Sequence, residues 1–220
     1  MKTAQSKQLF TIGHSNLTIE DFITLLQQHN ITAVADVRSH PYSRYLPHFN
    51  KDALKTVLLN VGIKYVFLGK ELGARPTDLS CYSNGKALYE RIAATELFPQ
   101  GIQRLVKGLE NHKIALMCAE KDPITCHRTI LVCHKLRQFD EIEINHILND
   151  GSLESHQHLE DRLLILHKLK QPEISKSAPK QLSLFAEEQF SPEVDTSSQE
   201  EILQEAYHKQ GNKIAYVNKN

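Results

Sequence analysis

The sequence has no tryptophan, two methionines and four cysteines in 220 residues. Cys81, Cys118, Cys126 and Cys133 are too few and too scattered for a disulfide framework. In a reducing compartment they are free thiols, packing residues or ligands. Also missing is any apolar run near the roughly 18 residues of a membrane span, so no membrane partner is expected. The amino-terminal MKTAQSKQLF has no continuous apolar region, which speaks against a signal peptide and for a cytoplasmic protein. Charge of one sign is absent too: 26 basic and 26 acidic side chains cancel. That excludes a general polycation and leaves nucleic-acid contact to a local basic face.

What is present is an alternation of elements. Leu9–Ile12, Ile31–Val37, Tyr65–Leu68, Ile114–Cys118 and Ile142–Ile147 read as strands, and the apolar runs of Ile31–Val37, unbroken until Asp36, and Ile114–Cys118 are those of strands covered on both faces. Helical patterns lie between them. Thr18 with Asp21 caps the first, Asn50 caps the second with Gly62 as its stop, and two more fall near Ala87–Ala94 and Ile102–Leu109. A helix from about Pro123 to Arg137 and another at Leu159–Leu169 complete the set. Strands alternating with helices predict an α/β domain over residues 1–169, its sheet mostly parallel with helices on both faces. Beyond it, KQPEISKSAPK has two prolines and no apolar period, so 170–220 reads as a flexible C-terminal tail. Within that tail EEILQEAYHKQG has the look of a short helix with a glycine stop, followed by KIAYV, and this last piece either docks back on the body or stays loose.

Three of the strands end in chemically competent residues. GHSN supplies His14 and Ser15, DVRSHP supplies Asp36, Arg38 and His40, and CAEKDPITCHR supplies Cys118, Glu120, Cys126, His127 and Arg128. Loops after parallel strands face a common crevice, so these groups are expected to converge there. Asp122 followed by Pro123 predicts a helix start with Cys126 and His127 in or just after its first turn, where amides and dipole favour an anion or a lowered thiol pKa. Arg128 and Arg38 suit phosphate or carboxylate. A purely structural ion-pair network of Asp36, Arg38, Glu120 and Arg128 stays open beside this reading. Cys118, Cys126, His127 and His14 carry donor atoms that zinc takes, but CxxC and HxxxH spacings are absent; zinc is not favoured and no cofactor is expected. No cysteine is followed five residues later by the arginine of a tyrosine-phosphatase loop.

TIGHSN, ADVRSHPYSR, YVFLGKELGARP and LMCAEKDPITCHR, in this order between about residues 9 and 150, resemble the bacterial family named domain of unknown function 488. The resemblance implies a Rossmann-like layered fold and marks His14, Ser15, Asp36, Arg38, Gly69, Gly73, Arg75, Pro76, Cys118, Glu120, Cys126, His127 and Arg128 as signature positions. It implies no activity.

The loop RSHPYSRYLPHF interleaves Arg38, His40, Arg44 and His48 with Tyr42, Tyr45 and Phe49, a mixture that suits single-stranded DNA or an extruded base. The alternative is a loop whose aromatics fill the edge of the core. QLSLF, residues 181–185, resembles the bacterial sliding-clamp-binding motif, with Gln181 orienting and Leu182, Leu184 and Phe185 filling an apolar pocket. A clamp tether predicts work on DNA in the nucleoid. The favoured expectation is a repair or nucleotide-processing hydrolase of an N-glycosidic or phosphoester bond. In it Glu120 or Asp36 acts as nucleophile or base, His14 or His127 carries the proton, and Ser15, Arg38, Cys118, Arg75 and Arg128 bind substrate. A non-catalytic DNA adaptor and a thiol enzyme using Cys126 or Cys118 remain alternatives.

Overall fold

The computed structural model describes residues 7–170 and 196–218. β1 (Lys7–Gly13) leads to α1 (Ile19–Gln28), β2 (Ala33–Asp36), α2 (Lys51–Asn60), β3 (Lys64–Phe67) and α3 (Gly69–Leu72). A small hairpin, β4 (Tyr82–Ser83) and β5 (Lys86–Ala87), precedes α4 (Tyr89–Ala93) and α5 (Leu97–Gly108). After β6 (Ile114–Cys118) come a 3-10 turn, Pro123–Thr125, a π-helical stretch, Arg128–Cys133, and its continuation α6 (His134–Leu136). The chain closes with β7 (Ile142–Ile147), β8 (Leu153–Ser155), α7 (His156–Leu166) and α8 (Thr196–Ile214).

The six-stranded sheet runs β3-β2-β6-β1-β7-β8, parallel throughout except for the antiparallel pair β7–β8. Side chains alternate across it because the strand period is two. Leu9, Ala33, Ala35, Ile114 and Leu116 pack with α5 and the 128–136 helix. Phe10, Val34, Ala115 and Met117 pack with α1 and α2 on the other side. The fold is therefore α/β with a doubly covered sheet. Full burial of Phe22, Leu26, Leu54 and Leu58 on α1 and α2 contributes about 1.5–3 kcal/mol each.

Local chemistry mostly follows the sequence, with informative departures. Thr18 caps α1, its Oγ1 accepting from Asp21 N–H at 3.1 Å. Asn50 stands at the start of α2 but makes no side-chain cap; its Oδ1 accepts from Ser43 N–H at 2.6 Å and ties down the preceding loop instead. The expected helix 123–137 is broken. Cys126 is extended, at φ −127° and ψ 140°, and the helix restarts after it.

Residues 196–218 are not a loose tail. Leu203, Ala206 and Tyr207 of α8 are buried against Ile124, Ile130 and Leu163. Gln210, 1 % exposed, donates to the Ile124 carbonyl at 2.8 Å. The expected stop at Gly211 fails, because the helix runs on to Ile214 and a Cβ at 211 would press on the Tyr89 ring. The terminal stretch then pairs with the hairpin: Ala87 N–H donates to the Tyr216 carbonyl and Asn218 N–H to that of Gly85. Apolar burial and edge pairing override the polar composition that suggested a tail. The motif Gln181, Leu182, Leu184 and Phe185 lies outside the described residues, and its flanks lead to two docked helices.

A buried polar chain joins α7 and α8 to the sheet. Arg128 Nε donates to Thr11 Oγ1 (3.4 Å), Thr11 meets His146 Nδ1 (2.8 Å), His146 Nε2 meets His156 Nδ1 (3.0 Å), and His156 Nε2 meets Tyr207 Oη (3.1 Å). Tyr207 donates to Glu160 Oε1 at 2.9 Å, which also pairs with Arg137 Nε. A guanidinium only donates and a carboxylate only accepts, so the hydroxyls and neutral imidazoles between them point one way. Burial holds His146 well below its ordinary pKa and brings His156 to about 3. Burial likewise takes His14 and His134 to about 4.

These four imidazoles are neutral in the folded chain and protonate near pH 6.5 when unfolded. Their contribution is complete above pH 6.5 and is lost as pH falls toward 4 and below; His127, Glu120 and Glu160, all shifted upward, oppose them. Thermal melts should therefore show the midpoint dropping from just below pH 6.5, before carboxylates titrate. A flat midpoint down to pH 5 would contradict the neutral buried chain.

Candidate active site

The three strands with polar ends are neighbours, because β6 lies between β1 and β2. Gly13 allows this closeness, since a Cβ there would collide with the Glu120 carbonyl. His14 N–H and Ser15 N–H extend the ladder to the carbonyls of Cys118 (2.9 Å) and Ala119 (2.8 Å). Gly69 and Gly73 play the same part for the next loop: side chains there would strike the Arg38 carbonyl and Ser39. GKELGARP is thereby held against Arg38 and Ser39, with Arg75 N–H on Ser39 Oγ at 2.9 Å.

Arg38 is the best-held cation of the site. Its Nε and Nη2 form a fork on Asp36, at 2.9 Å to Oδ1 and 2.6 Å to Oδ2. Nη2 also donates to the Phe49 carbonyl (2.8 Å) and Nη1 to His14 Nε2 (3.2 Å). Because arginine only donates, His14 carries its proton on Nδ1, which donates to the Ser15 carbonyl at 3.0 Å. The ring stacks on Phe49 at 4.3 Å. Burial and the Arg38 charge lower His14 to about 4, so it is a neutral orienting group rather than an acid. Asp36 additionally accepts from Arg38 N–H (3.1 Å) and Tyr65 Oη (2.7 Å). Four bonds use all four lone-pair directions of its carboxylate, so Asp36 positions Arg38 and is not a nucleophile.

Behind the cleft sits a compact cluster. Cys118 Sγ, a Glu120 carboxylate oxygen, Cys126 Sγ and His127 Nδ1 all lie within 4.8 Å of one another. Cys126 Sγ donates to Glu120 Oε2 at 2.9 Å and accepts Arg128 N–H at 3.4 Å. His127 Nδ1 is 3.6 Å from Cys118 Sγ and 3.9 Å from Cys126 Sγ, while its Nε2–H donates to the Val37 carbonyl at 2.9 Å. Burial disfavours a Cys126 thiolate, but the Cys118 hydrogen bond, the Arg128 charge and His127 hold its thiol well below the ordinary value. Burial and the neighbouring Cys126 push Cys118 the other way. Of the two sulfurs, Cys126 is the more acidic. Burial and the same sulfur raise Glu120, a residue exposed to solvent whose carboxylate turns inward.

The cleft above this cluster has a volume of about 180 Å³. It is lined by the guanidinium-bearing Arg38 and Arg75, by His40, by Cys118, Glu120 and His127 of the cluster, and by Tyr89 and Tyr216. Tyr216 is held by Arg75, whose guanidinium lies 4.4 Å over its ring. Sequence reasoning missed Tyr89 and Tyr216 as wall residues; only the apolar KIAYV hinted that the end of the chain docks. Two expected binders do not reach the cleft. Arg128 is wholly buried and donates to the carbonyls of Glu120 (2.8 Å) and Lys121 (3.4 Å), so it clamps no phosphate. Ser15 Oγ turns to Asn16 Oδ1 at 3.3 Å. Cys126 does not line the cleft and is 1 % exposed. In the loop after β2, Phe49 is buried in the core, but Tyr42 and Tyr45 are 63 % and 92 % exposed, with Arg44 exposed between them.

The family described as Domain of unknown function DUF488 matches residues 18–134. The chain belongs to this family. No curated protein and no solved structure matches it. The matched span contains Arg38, Cys118, Glu120, Cys126 and His127, whereas Gly13, His14 and the Tyr216 wall fall outside it.

Removing Asp36 would strand a buried guanidinium, so Asp36→Ala should cost about 3–5 kcal/mol in urea unfolding. Tyr65→Phe, which deletes one hydrogen bond to that carboxylate, should cost about 1.5–3 kcal/mol. Equal losses from the two variants would mean that the ion pair does not organise the site.

Proposed function

We propose that the cleft is the active site of a hydrolase acting on DNA or a nucleotide unit, cleaving an N-glycosidic or phosphoester bond. One observation carries this reading: Glu120, its carboxyl raised above the ordinary value, borders a small cleft lined by Arg38, His40 and Arg75, and the chain that follows His40 exposes Tyr42, Arg44 and Tyr45. Exposed aromatics next to a cation offer stacking surfaces to unpaired bases, and a small concave site suits one extruded base. Glu120 takes a proton from water as the water oxygen attacks, then returns it to the leaving group. Arg38, fixed by Asp36, and Arg75 hold the anionic part of the substrate.

Nucleophilic attack by Cys126 has less support, because its sulfur is covered by the cluster and does not line the cleft. The clamp tether rests on QLSLF alone. The ten residues on either side of it, 171–180 and 186–195, reach at most about 35 Å when fully extended. A clamp holding the motif would keep residues 170 and 196 within about that distance of its binding pocket.

On a panel of single-stranded, mismatched and base-damaged oligonucleotides, Glu120→Gln should lower turnover at least about 100-fold with binding unchanged. Tyr45→Ala should weaken binding by about 1–3 kcal/mol with chemistry intact. Binding with no product from any substrate would instead establish an adaptor. Independently, replacing Leu184 and Phe185 by alanine should abolish capture of the full-length chain by the sliding clamp without moving the melting temperature. Undiminished capture would remove the tether from the proposal.

A further inference from the structure

We infer that Cys118, Cys126 and His127 form a zinc site whose fourth position opens into the cleft beside Glu120. This deepens the hydrolase reading by naming what activates the water, but the site stands on its own geometry.

The spacing of the donors is that of a coordination shell. With zinc–sulfur bonds near 2.3 Å and zinc–nitrogen bonds near 2.05 Å, a tetrahedral ion separates sulfur from nitrogen by about 3.6 Å. His127 Nδ1 stands 3.6 Å from Cys118 Sγ and 3.9 Å from Cys126 Sγ. The imidazole is oriented as a ligand: its Nε2–H is committed to the Val37 carbonyl at 2.9 Å, which leaves the Nδ1 lone pair facing both sulfurs. Backbone carbonyls commonly hold metal-bound histidines in this way. Arg128 N–H on Cys126 Sγ supplies the amide contact that a thiolate ligand takes. Two thiolates and an imidazole in a tetrahedral arrangement select zinc among the common divalent ions.

Glu120 is the odd member of the cluster. Cys118, Cys126 and His127 are buried, while Glu120 is exposed and borders the cleft. Its 2.9 Å contact with Cys126 Sγ is a thiol hydrogen bond, shorter than the separation of about 3.5 Å expected between sulfur and oxygen sharing a zinc ion. Loading a metal would release the thiol protons of Cys118 and Cys126 to solvent and end the Cys126–Glu120 bond, which would free the carboxylate to face a water in the open position. Zinc lowers the pKa of that water. Glu120 accepts its proton, the hydroxide oxygen bonds to the electrophilic carbon or phosphorus, the bond to the leaving group breaks, and Glu120 returns the proton to the leaving group. Water is the only co-reactant and no electron changes hands. The spacing argument from sequence did not anticipate this arrangement, because β6 and the break at Cys126 bring the ligands together.

The test is elemental analysis of the purified full-length chain, with cobalt(II) added to metal-stripped protein. One zinc per chain is expected, together with thiolate-to-cobalt charge-transfer and tetrahedral visible bands. Cys126→Ser and His127→Ala should fall below a tenth of wild-type zinc, while Cys81→Ala and Glu120→Gln keep it. The cobalt spectrum of unmutated protein guards against loss of metal through misfolding. Absence of both zinc and the cobalt bands from wild type overturns the site, and loss of metal in Glu120→Gln overturns the open fourth position. Metal bound without turnover on any nucleic acid leaves the site standing and removes the hydrolase reading. Turnover that survives complete stripping keeps the hydrolase reading and overturns the inference that the metal activates its water.

Discussion

A wholly buried guanidinium must find compensation, and Arg128 finds it without a carboxylate partner among the described residues. Its charge is met by neutral oxygen: the carbonyls of Glu120 and Lys121 and the hydroxyl of Thr11. Such acceptors solvate a cation but do not cancel it, so the site favours negative charge nearby. Cys126 supplies it. The Arg128 charge is among the influences that hold that thiol down, and the Arg128 backbone amide reaches the same sulfur. One side chain thus fixes the loop carrying Glu120, biases the ionisation of the cluster and anchors the polar chain running to α8. Gly13 completes the arrangement from the sheet side, because any side chain there would push the Glu120 carbonyl off its bond with Arg128.

How much of this was legible depended on whether the governing force was local. β6 falls where its apolar run predicts, since a strand buried on both faces writes its limits in composition, and β7 keeps its expected bounds with Glu143 exposed on one side. The Thr18 and Asp122 caps were equally readable, being contacts between residues two or three apart. Asn50 was not: a partner seven residues back outcompeted the helix for its side chain. The helix expected over 123–137 failed at Cys126, whose extended backbone turns its sulfur toward Glu120 and Cys118. That choice is tertiary and leaves no periodic trace. The convergence of His14, Arg38 and Glu120 on one rim followed from the parallel topology, but which of them face the cleft did not. Asp36 and Arg128 looked like chemistry and proved to be scaffolding, because identical residue types serve both ends and only their partners distinguish them.

The C-terminal helix was the hardest to foresee. Its mean character is polar, and its few apolar residues bury only because the far face of α7 and the 128–133 helix offer a matching surface. Tyr207 carries a second reason to dock: its hydroxyl receives the last imidazole proton of the buried chain and passes its own to Glu160. A hydroxyl at that position closes a chain that would otherwise end in an unpaired buried imidazole, a costly outcome away from water. Docking then delivers Ile214 and Tyr216 to the cleft wall, where the Tyr216 ring backs Arg75 and its carbonyl pairs with Ala87. The cleft is therefore assembled from distant parts of the chain, its chemistry after the strand ends and part of its lining from Ile214 and Tyr216, at and just beyond the end of α8. Arg128 lies at the head of the hydrogen-bonded path between them. Whatever molecule fills the cleft touches a surface whose placement depends on α8 being seated, and the seating depends on neutral imidazoles at its back.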